Sequence, residues 1–179
     1  VGSGAVEQWQ PAPVSPCNLL NRGIAGENSR SLRMRFHQDV VTLKPAAVLL
    51  WPGFCDDLQS EQRMSIIDTE SHLARIARLA QGSGIRLAMG SVLPAANTAA
   101  AAGHNRKVAA LNTFIKKLCR ENGYLYVDFA QVLSDHQGRI QSRYCRNGTD
   151  LEPEAYASLQ PMLEQAVTEL LKPAESSTP

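Results

Sequence analysis

Apolar residues follow two different patterns along the chain. In four stretches they recur every three or four positions, which predicts amphipathic helices that pack one face on a core. Between these helices lie three short, continuous apolar runs, typical of strands covered on both faces of a sheet. The helices are predicted over 31–43, 66–80, 108–118 and 156–170, and the strands over 46–51, 85–92 and 124–129.

The order of these elements, strand and helix in alternation, predicts βαβ units and therefore an α/β fold with a parallel sheet. Ligands of such sheets bind beyond the carboxyl ends of the strands. We therefore look for function in the loops that follow each strand and in the segment before the last helix. These loops cover 2–5, 21–28, 52–58 and 91–96.

The chain has 179 residues, of which 44% are hydrophobic, so it is long and apolar enough to form one folded domain. We place this domain at 1–172. The segment 173–179 is rich in Ser and Pro and is expected to be a flexible tail. The Ala-rich stretch 95–102 is interpreted as a loop or a loose helix.

Charge and cysteine content exclude several classes of protein. A net charge of +1 does not favour nucleic-acid binding, and no apolar run approaches the roughly 20 residues of a membrane span. No leader is visible, so compartment and oligomeric state stay open. The cysteines form no C-x-x-C pair, and we expect neither a metal nor a cofactor. Disulfides and buried thiols both remain open for Cys17, Cys55, Cys119 and Cys145.

Four motifs occupy the predicted loops in a fixed order. They are Gly2-Ser3-Gly4-Ala5-Val6-Glu7-Gln8-Trp9, Asn21-Arg22-Gly23-Ile24-Ala25-Gly26, Gly53-Phe54-Cys55-Asp56 after Lys44-Pro45 and a strand, and Asn147-Gly148-Thr149-Asp150-Leu151 before Glu154-Ala155-Tyr156. Together they resemble the four conserved blocks of SGNH (GDSL-type) hydrolases. No single block is specific, but their order and spacing extend over nearly the whole chain.

The resemblance implies a three-layer α/β/α, flavodoxin-like fold whose first strand is almost absent here, because the chain begins at Val1. It also implies ester hydrolysis by a serine nucleophile, with a histidine base oriented by an aspartate. In the family a backbone N–H of the second block and an asparagine of the third stabilise the oxyanion.

Most of the side chains that this chemistry requires are replaced. Gly4 occupies the nucleophile position, Asp150 that of the base, Asn147 that of the orienting aspartate and Cys55 that of the oxyanion asparagine. A carboxylate of ordinary pKa is a poor base for a hydroxyl, and a thiol is a weak donor. Only Gly26, which would act through its backbone, matches the family's oxyanion glycine.

Each of these residues also has a simpler structural interpretation. Ser3 is expected to be a turn hydroxyl, Asp150 a cap of the last helix and Asn147 part of an Asn-Gly turn. Gly26 would begin the first helix after a tight turn. Asp56 is expected to bond nearby backbone.

Two residues are candidate nucleophiles of a rewired active site, and two are candidate bases. Ser3 or Cys55 would then be the nucleophile, with Asp150 or His104 as the base, since His104 alone among the histidines lies at the correct edge of the predicted sheet. The other three are assigned to the surface or to a remote turn. These are His37, His72 and His136.

Three functions follow from these patterns. The first is an inactive or severely impaired esterase-like domain whose cleft binds an acyl ester, an acetylated sugar or a protein partner. The second is an active, rewired esterase, and the third is an assembly module in which Trp51 fills part of the cleft. The predicted ligand-binding residues are Ser3, Gly26, Cys55, Asp56, Asn147 and Asp150.

Overall fold

The computed structural model describes residues 1–53, 64–95, 101–145 and 150–172, without the side chains of 101 and 102. The predictions for Cys55, Asp56, Asn147 and the tail 173–179 lie outside these residues. The helices are α1 Gly4–Glu7, α2 Ser29–Asp39, α3 Ile66–Gly82, α4 Ala101–Asn122, α5 Phe129–Leu133 and α6 Pro153–Leu171. The strands are β1 Ala47–Leu50, β2 Arg86–Gly90 and β3 Leu125–Val127.

The three strands form a parallel sheet in the order β1-β2-β3. Gly2 extends the sheet beyond β1, because it forms parallel bridges with both Trp51 and Gly23. The spatial order is therefore Gly23, Gly2, β1, β2, β3, which is the 2-1-3-4-5 order of flavodoxin-like sheets. The predicted α/β fold is confirmed, and the first two strand positions are represented by these bridges.

Helices cover both faces of the sheet and form two apolar cores. On one face, residues of α2, α3 and α4 such as Phe36, Ile76 and Leu111 are fully buried. On the other, Phe129 of α5 and Leu159 of α6 are equally buried. The chain thus has three layers. Because the strands are parallel, the loops that follow them lie along one edge of the sheet.

Several boundaries differ from the predictions. α2 ends at Asp39 and is followed by a 3₁₀ turn, Val41–Leu43. α4 begins at Ala101 rather than at Val108. The end of the last predicted strand, at Phe129, is instead the start of α5, because the Asp128 side chain accepts a hydrogen bond from Gln131 N and caps this helix.

None of the described helices is long and apolar enough to cross a membrane. Cys17 and Cys119 form no disulfide, which leaves Cys119 as a buried thiol. Burial raises the pKa of Cys119 to about 12, so this thiol is inert near neutral pH. Within the described ranges no group of three or more potential ligands could hold a metal ion.

Candidate functional site

The loops at the carboxyl edge of the sheet meet around the first motif. Ile24 N donates to Gly2 O at 3.0 Å, which joins the second motif to the first. Leu93 N donates to Gly53 O at 2.7 Å and joins the loop after β2 to the third motif. The first and second motifs are therefore neighbours in space, and the described part of the third motif lies beside the loop after β2.

Ser3 lies at the centre of this edge and is 5% exposed. Its hydroxyl donates a hydrogen bond to Pro52 O at 2.6 Å, although its position at the N-cap of α1 offers a capping role that it does not take. A Cβ on Gly53 would lie 2.8 Å from Ser3 Oγ, and Gly53 has a φ of +63°. The third motif thus needs glycine for the close approach of its backbone to Ser3.

Gly4 is the first residue of α1. A Cβ built on it would lie 3.6 Å from Ala25, which is ordinary van der Waals contact. A Cβ would therefore fit at the position that the resemblance assigns to the nucleophile. Among the described residues, no steric clash explains why this position is a glycine.

Gly26 ends the second motif with a φ of +69° and has open space around its Cβ position. This left-handed conformation favours glycine. Two residues later, Asn28 caps α2 by accepting a hydrogen bond from Ser31 N. The arrangement fits the predicted turn that leads into the first long helix.

Asn21 attaches the second motif to α1. Its side-chain amide donates to Val6 O at 2.6 Å and to Trp9 O at 2.9 Å, while its oxygen accepts from Gly23 N at 2.8 Å. The Glu7 carboxylate adds a bond from Ala25 N at 3.1 Å. The sequence analysis assigned Asn21 no role beyond its motif and did not identify Glu7. For Asn21 the available signal was the number of backbone carbonyls that a helix as short as α1 leaves without partners.

A charged cluster holds the other side of the second motif. The Arg35 guanidinium bonds the carboxylates of Glu27 and Asp39 and donates to Arg22 O at 2.9 Å. Burial lowers the pKa of Arg35, but the bonds to Glu27 and Asp39 outweigh this effect and raise it. The guanidinium thus fixes the second motif against α2 as a permanent cation.

Asp150 faces α1 rather than the last helix. Its carboxylate accepts a hydrogen bond from Gln8 Nε2 at 3.3 Å. The prediction that Asp150 caps α6 is wrong, because Pro153 occupies the first turn and places the N-cap at Glu152. The residue that the resemblance assigns to the base position therefore lies beside the first motif.

Tyr156 connects the N-terminal part of α6 to α1. Its hydroxyl donates to Ala5 O at 3.1 Å. Burial, followed by electrostatic interactions with Asp150 and Cys145, raises the pKa of Tyr156 to about 12. The phenol stays protonated near neutral pH and serves as a fixed donor.

His104 lies in the first turn of α4, next to Asn105, whose side chain bonds both backbone groups of Ala95. Its Nε2 is buried and has no hydrogen-bond partner among the described residues. Burial and then the charge of Lys107 lower the pKa of His104, so the imidazole is neutral at pH 7. No described hydrogen bond connects it to Ser3.

The other histidines divide between surface and interior. His37 and His136 are exposed, as predicted. His72 is not a simple surface residue, because its Nδ1 lies 2.9 Å from Ser29 Oγ in a partly buried contact between α2 and α3. This pair joins two helices of one layer.

Trp51 belongs to an aromatic cluster beneath the loops. It is fully buried, stacks in tilted geometry on Phe129 at 4.6 Å, and meets Trp9 edge-on at 5.5 Å. Its indole N–H donates to Ser91 O at 2.9 Å. Trp51 therefore supports the floor of the site as part of the core.

Solved structures similar to this chain include a lipase and an esterase. A GDSL-like lipase from Bacteroides thetaiotaomicron is 26% identical, with a TM-score of 0.75 over 84% of this chain and 75% of that one. An acetylxylan esterase from Geobacillus stearothermophilus is 15% identical, with a TM-score of 0.70 over 83% and 71% of the respective chains. No match is found among the curated proteins.

A family model provides the classification. The model of the GDSL-like lipase/acylhydrolase family matches residues 5–157, which include Gly26 of the second motif, Asp150 of the last and every strand of the sheet. The chain therefore belongs to the GDSL-like lipase/acylhydrolase family.

Proposed function

We propose that this domain is a non-catalytic GDSL-family protein that binds a small acyl ester or an acetylated sugar at the carboxyl edge of its sheet. The observation that carries the proposal is the pair Ser3 and Gly4. The position assigned to the nucleophile has space for a Cβ but holds glycine. The hydroxyl of the preceding residue, Ser3, is buried and donates to Pro52 O.

Loss of the base position supports the same conclusion. Asp150 is exposed and stands where the family has a histidine, and a carboxylate is a poorer general base for a hydroxyl than an imidazole is. The sequence also replaces the orienting and oxyanion residues, at Asn147 and Cys55. Groups of a triad act as a unit, so several replacements leave little of the rate.

The scaffold that would hold a ligand is retained. Asn21, Glu7 and the Arg35 cluster fix the second motif against α1 and α2, and Tyr156 fixes α1 from the other side. The absence of a side chain at Gly4 enlarges the space beside Ala25. The likeness to an acetylxylan esterase makes acetylated xylo-oligosaccharides the first ligands to test.

An active, rewired esterase is the second candidate. The observation in its favour is His104, whose neutral imidazole has an unpartnered, buried Nε2. A neutral imidazole is a good general base. The position of Ser3 argues against this function, because its hydroxyl would first have to break its hydrogen bond to Pro52 O.

Hydrolysis of p-nitrophenyl acetate separates these two functions. We expect the purified protein to release p-nitrophenol no faster than a heat-denatured sample. Ser3→Ala and Cys55→Ala should leave that rate unchanged, as should Met34→Ala, a control on the exposed face of α2. A rate well above the denatured control that falls with Ser3→Ala or Cys55→Ala would establish the rewired esterase instead.

Ligand binding tests the other half of the proposal. Acetylated xylobiose at about 100 times its dissociation constant should raise the melting temperature by about 5–10 °C, whereas unacetylated xylobiose should not. Gly4→Phe, which fills the space beside Ala25, should abolish the shift. An unchanged melting temperature with acetylated sugars and short esters would contradict ligand binding and favour an assembly module.

A further inference from the structure

The helices α2 and α3 lie side by side on one face of the sheet. Each connects two parallel positions of the sheet, so the two helices run in the same direction. The contact between Ser29 Oγ and His72 Nδ1 at 2.9 Å places the first turn of α2 level with the second turn of α3. Outside this contact the two helices form the walls of a surface groove, which we name the α2–α3 groove.

Helical periodicity places three arginines along this groove. On α2, Arg33 follows Ser29 by four residues and lies next to it along the contact, while Arg30 lies on the outer side. On α3, Arg75 follows His72 by three residues and is therefore level with Arg33. Arg30 and Arg75 are exposed, and Arg33 is half-buried. Both walls of the groove thus carry cationic side chains.

The three arginine side chains have unused hydrogen-bonding capacity. None of them takes part in a hydrogen bond or an ion pair within the described ranges. The Nε of Arg33 is buried and has no partner there, although buried polar atoms are normally hydrogen-bonded. The described residues therefore leave these guanidinium groups without an anion.

The acidic side chains of the two helices lie elsewhere. Asp39 bonds Arg35 on the opposite side of α2. Asp68 accepts a hydrogen bond from the Ser65 hydroxyl at 2.7 Å in the first turn of α3. Glu70 lies on the face of α3 that is turned toward α4. The groove is consequently a region of positive charge in a chain whose net charge is only +1.

This positive charge is unfavourable for α2 itself. The N-terminus of a helix carries a partial positive charge and is stabilised by anions. The first turn of α2 has no acidic residue and contains Arg30 instead. A bound anion would offset this repulsion, so the sequence of α2 suits an anionic ligand better than it suits the helix alone.

We propose that the α2–α3 groove binds the carboxylate groups of an acidic oligosaccharide, which extends from the acetylated sugar at the carboxyl edge of the sheet. The extension rests on the proposed function, whereas the binding of carboxylates rests on the arginines. Arg30 follows Gly26 of the second motif by four residues, so the groove opens at that edge. Arg33 and Arg75 lie about 5 Å further along, one helical turn away. A guanidinium binds a carboxylate through two parallel hydrogen bonds.

An oligosaccharide fits this groove better than a polypeptide does. Protein interfaces bury an apolar centre, whereas the side chains beside the arginines, such as His37 and Asp68, are polar. The hydroxyl groups of a sugar can bond to such side chains. An acidic polypeptide is therefore an alternative that the experiment must exclude.

The probe is glucuronic acid linked to xylotriose, and the neutral control is xylotetraose, which has the same number of sugar units. Neither is acetylated, so the groove is tested apart from the acetyl-sugar site. Titration of ¹⁵N-labelled protein at low salt, followed by NMR, measures the binding and locates it. We expect saturable shifts of amide signals in 29–37 and 72–79, an affinity at least about fivefold above that of xylotetraose, and weaker binding as salt is added.

Two exposed arginines provide the variants. Arg30→Gln combined with Arg75→Gln should lower the affinity for the acidic probe at least about fivefold. Both side chains are exposed, so the double variant should fold normally. Arg78→Gln is the matched control, because it removes the same charge from an exposed position of α3 on the side of Tyr124. This control should bind the probe as the unmodified protein does.

The groove and the acetyl-sugar site can fail separately. Gly4→Phe should leave binding of the unacetylated acidic probe unchanged, and the double arginine variant should keep the rise in melting temperature with acetylated xylobiose. Binding of the acidic probe without binding of any acetylated sugar would contradict the proposed function and the extension, but not the groove. An acetylated form of the acidic probe should bind more tightly than the unacetylated form, because it reaches both sites. Equal affinities would contradict the extension.

Three results would overturn the groove as a site for acidic sugars. The first is equal affinity for the acidic probe and xylotetraose, which would mean that the carboxylate is not recognised. The second is an equal loss of affinity in Arg78→Gln, which would reduce the effect to diffuse charge attraction. The third is tighter binding of tetraglutamate than of the acidic probe, because the groove would then select an acidic polypeptide.

Discussion

The hydroxyl of Ser3 donates to the carbonyl oxygen of Pro52 at 2.6 Å, and this bond joins the first motif to the third inside the protein. A serine nucleophile needs its hydroxyl directed to a base and accessible to substrate. Ser3 instead uses its proton to satisfy a backbone carbonyl. We therefore treat Ser3 as a structural residue of the site.

Replacement of Ser3 tests this role. Ser3→Ala leaves Pro52 O without its buried donor, and we expect the free energy of unfolding to fall by about 1–3 kcal/mol. Urea denaturation measures the change. Ser71→Ala, at an exposed residue of α3, is the control and should change stability by less than about 0.5 kcal/mol. Equal stability of Ser3→Ala and the unmodified protein would contradict the structural role.

The charged cluster around Arg35 gives a second prediction. Arg35→Met leaves the Glu27 carboxylate, whose side chain is 5% exposed, without its cation, and we expect a loss of at least about 2 kcal/mol in unfolding free energy. Lys117→Met breaks an exposed pair with Glu121 and should cost less than about 0.5 kcal/mol.

A double variant checks the cause. If the buried charge is responsible, Glu27→Gln in the Arg35→Met background should recover part of the stability. A double variant no more stable than Arg35→Met alone would mean that packing of the Arg35 side chain, and not its charge, holds the second motif.

The lowered pKa of His104 predicts a pH dependence. Burial favours the neutral imidazole in the folded state, so the unfolded chain binds more protons between the folded pKa and the ordinary value of 6.5. This stabilising contribution is complete above pH 6.5 and is lost as the pH falls through the lowered value. His104→Gln should therefore lose less stability than the unmodified protein between pH 7 and pH 5, as measured by denaturant midpoints.

The matched control for this effect is His136, which is exposed and bonds only Gln137 among the described residues. His136→Gln should keep the pH dependence of the unmodified protein. Parallel curves for His104→Gln and the unmodified protein would show that His104 is not responsible.

The space at Gly4 gives a fourth prediction. Gly4→Ser should fold normally, because its Cβ meets Ala25 at 3.6 Å, and its stability should change by less than about 0.5 kcal/mol. Alone it should not hydrolyse p-nitrophenyl acetate, since Asp150 remains at the base position. Combined with Asn147→Asp and Asp150→His it should produce measurable turnover, because triad members act together.

The single and the triple variant can each contradict the prediction, in different ways. Turnover by Gly4→Ser alone would mean that another residue already acts as a base. A folded triple variant without turnover would mean that the positions assigned from the motifs do not form a site.

How far the sequence predicts this molecule depends on the range of the interactions involved. The long helices and the strands were predicted because burial of one face or of both leaves a periodic pattern, as around Phe36 and Leu50. α5 was not, because it depends on a single cap at Asp128. The turn at Gly26 was predicted, since a left-handed conformation and glycine go together.

Contacts between distant segments could not be predicted from the sequence. Periodicity carries no information on the partner of Ser3, on the bonds from Asn21 to α1, or on the direction of Asp150 toward Gln8. Each is set by how the loops meet at the edge of the sheet. The motifs identified loops that the fold brings to one edge of the sheet, and the fold determines which partners their side chains have.

The central claim, that no residue of the domain is an activated nucleophile, is tested most directly by labelling with a fluorophosphonate and mapping the modified peptides by mass spectrometry. The account predicts that no serine, threonine or cysteine peptide is modified above a heat-denatured sample. Specific modification of Ser3 or Cys55 in the folded protein would contradict it.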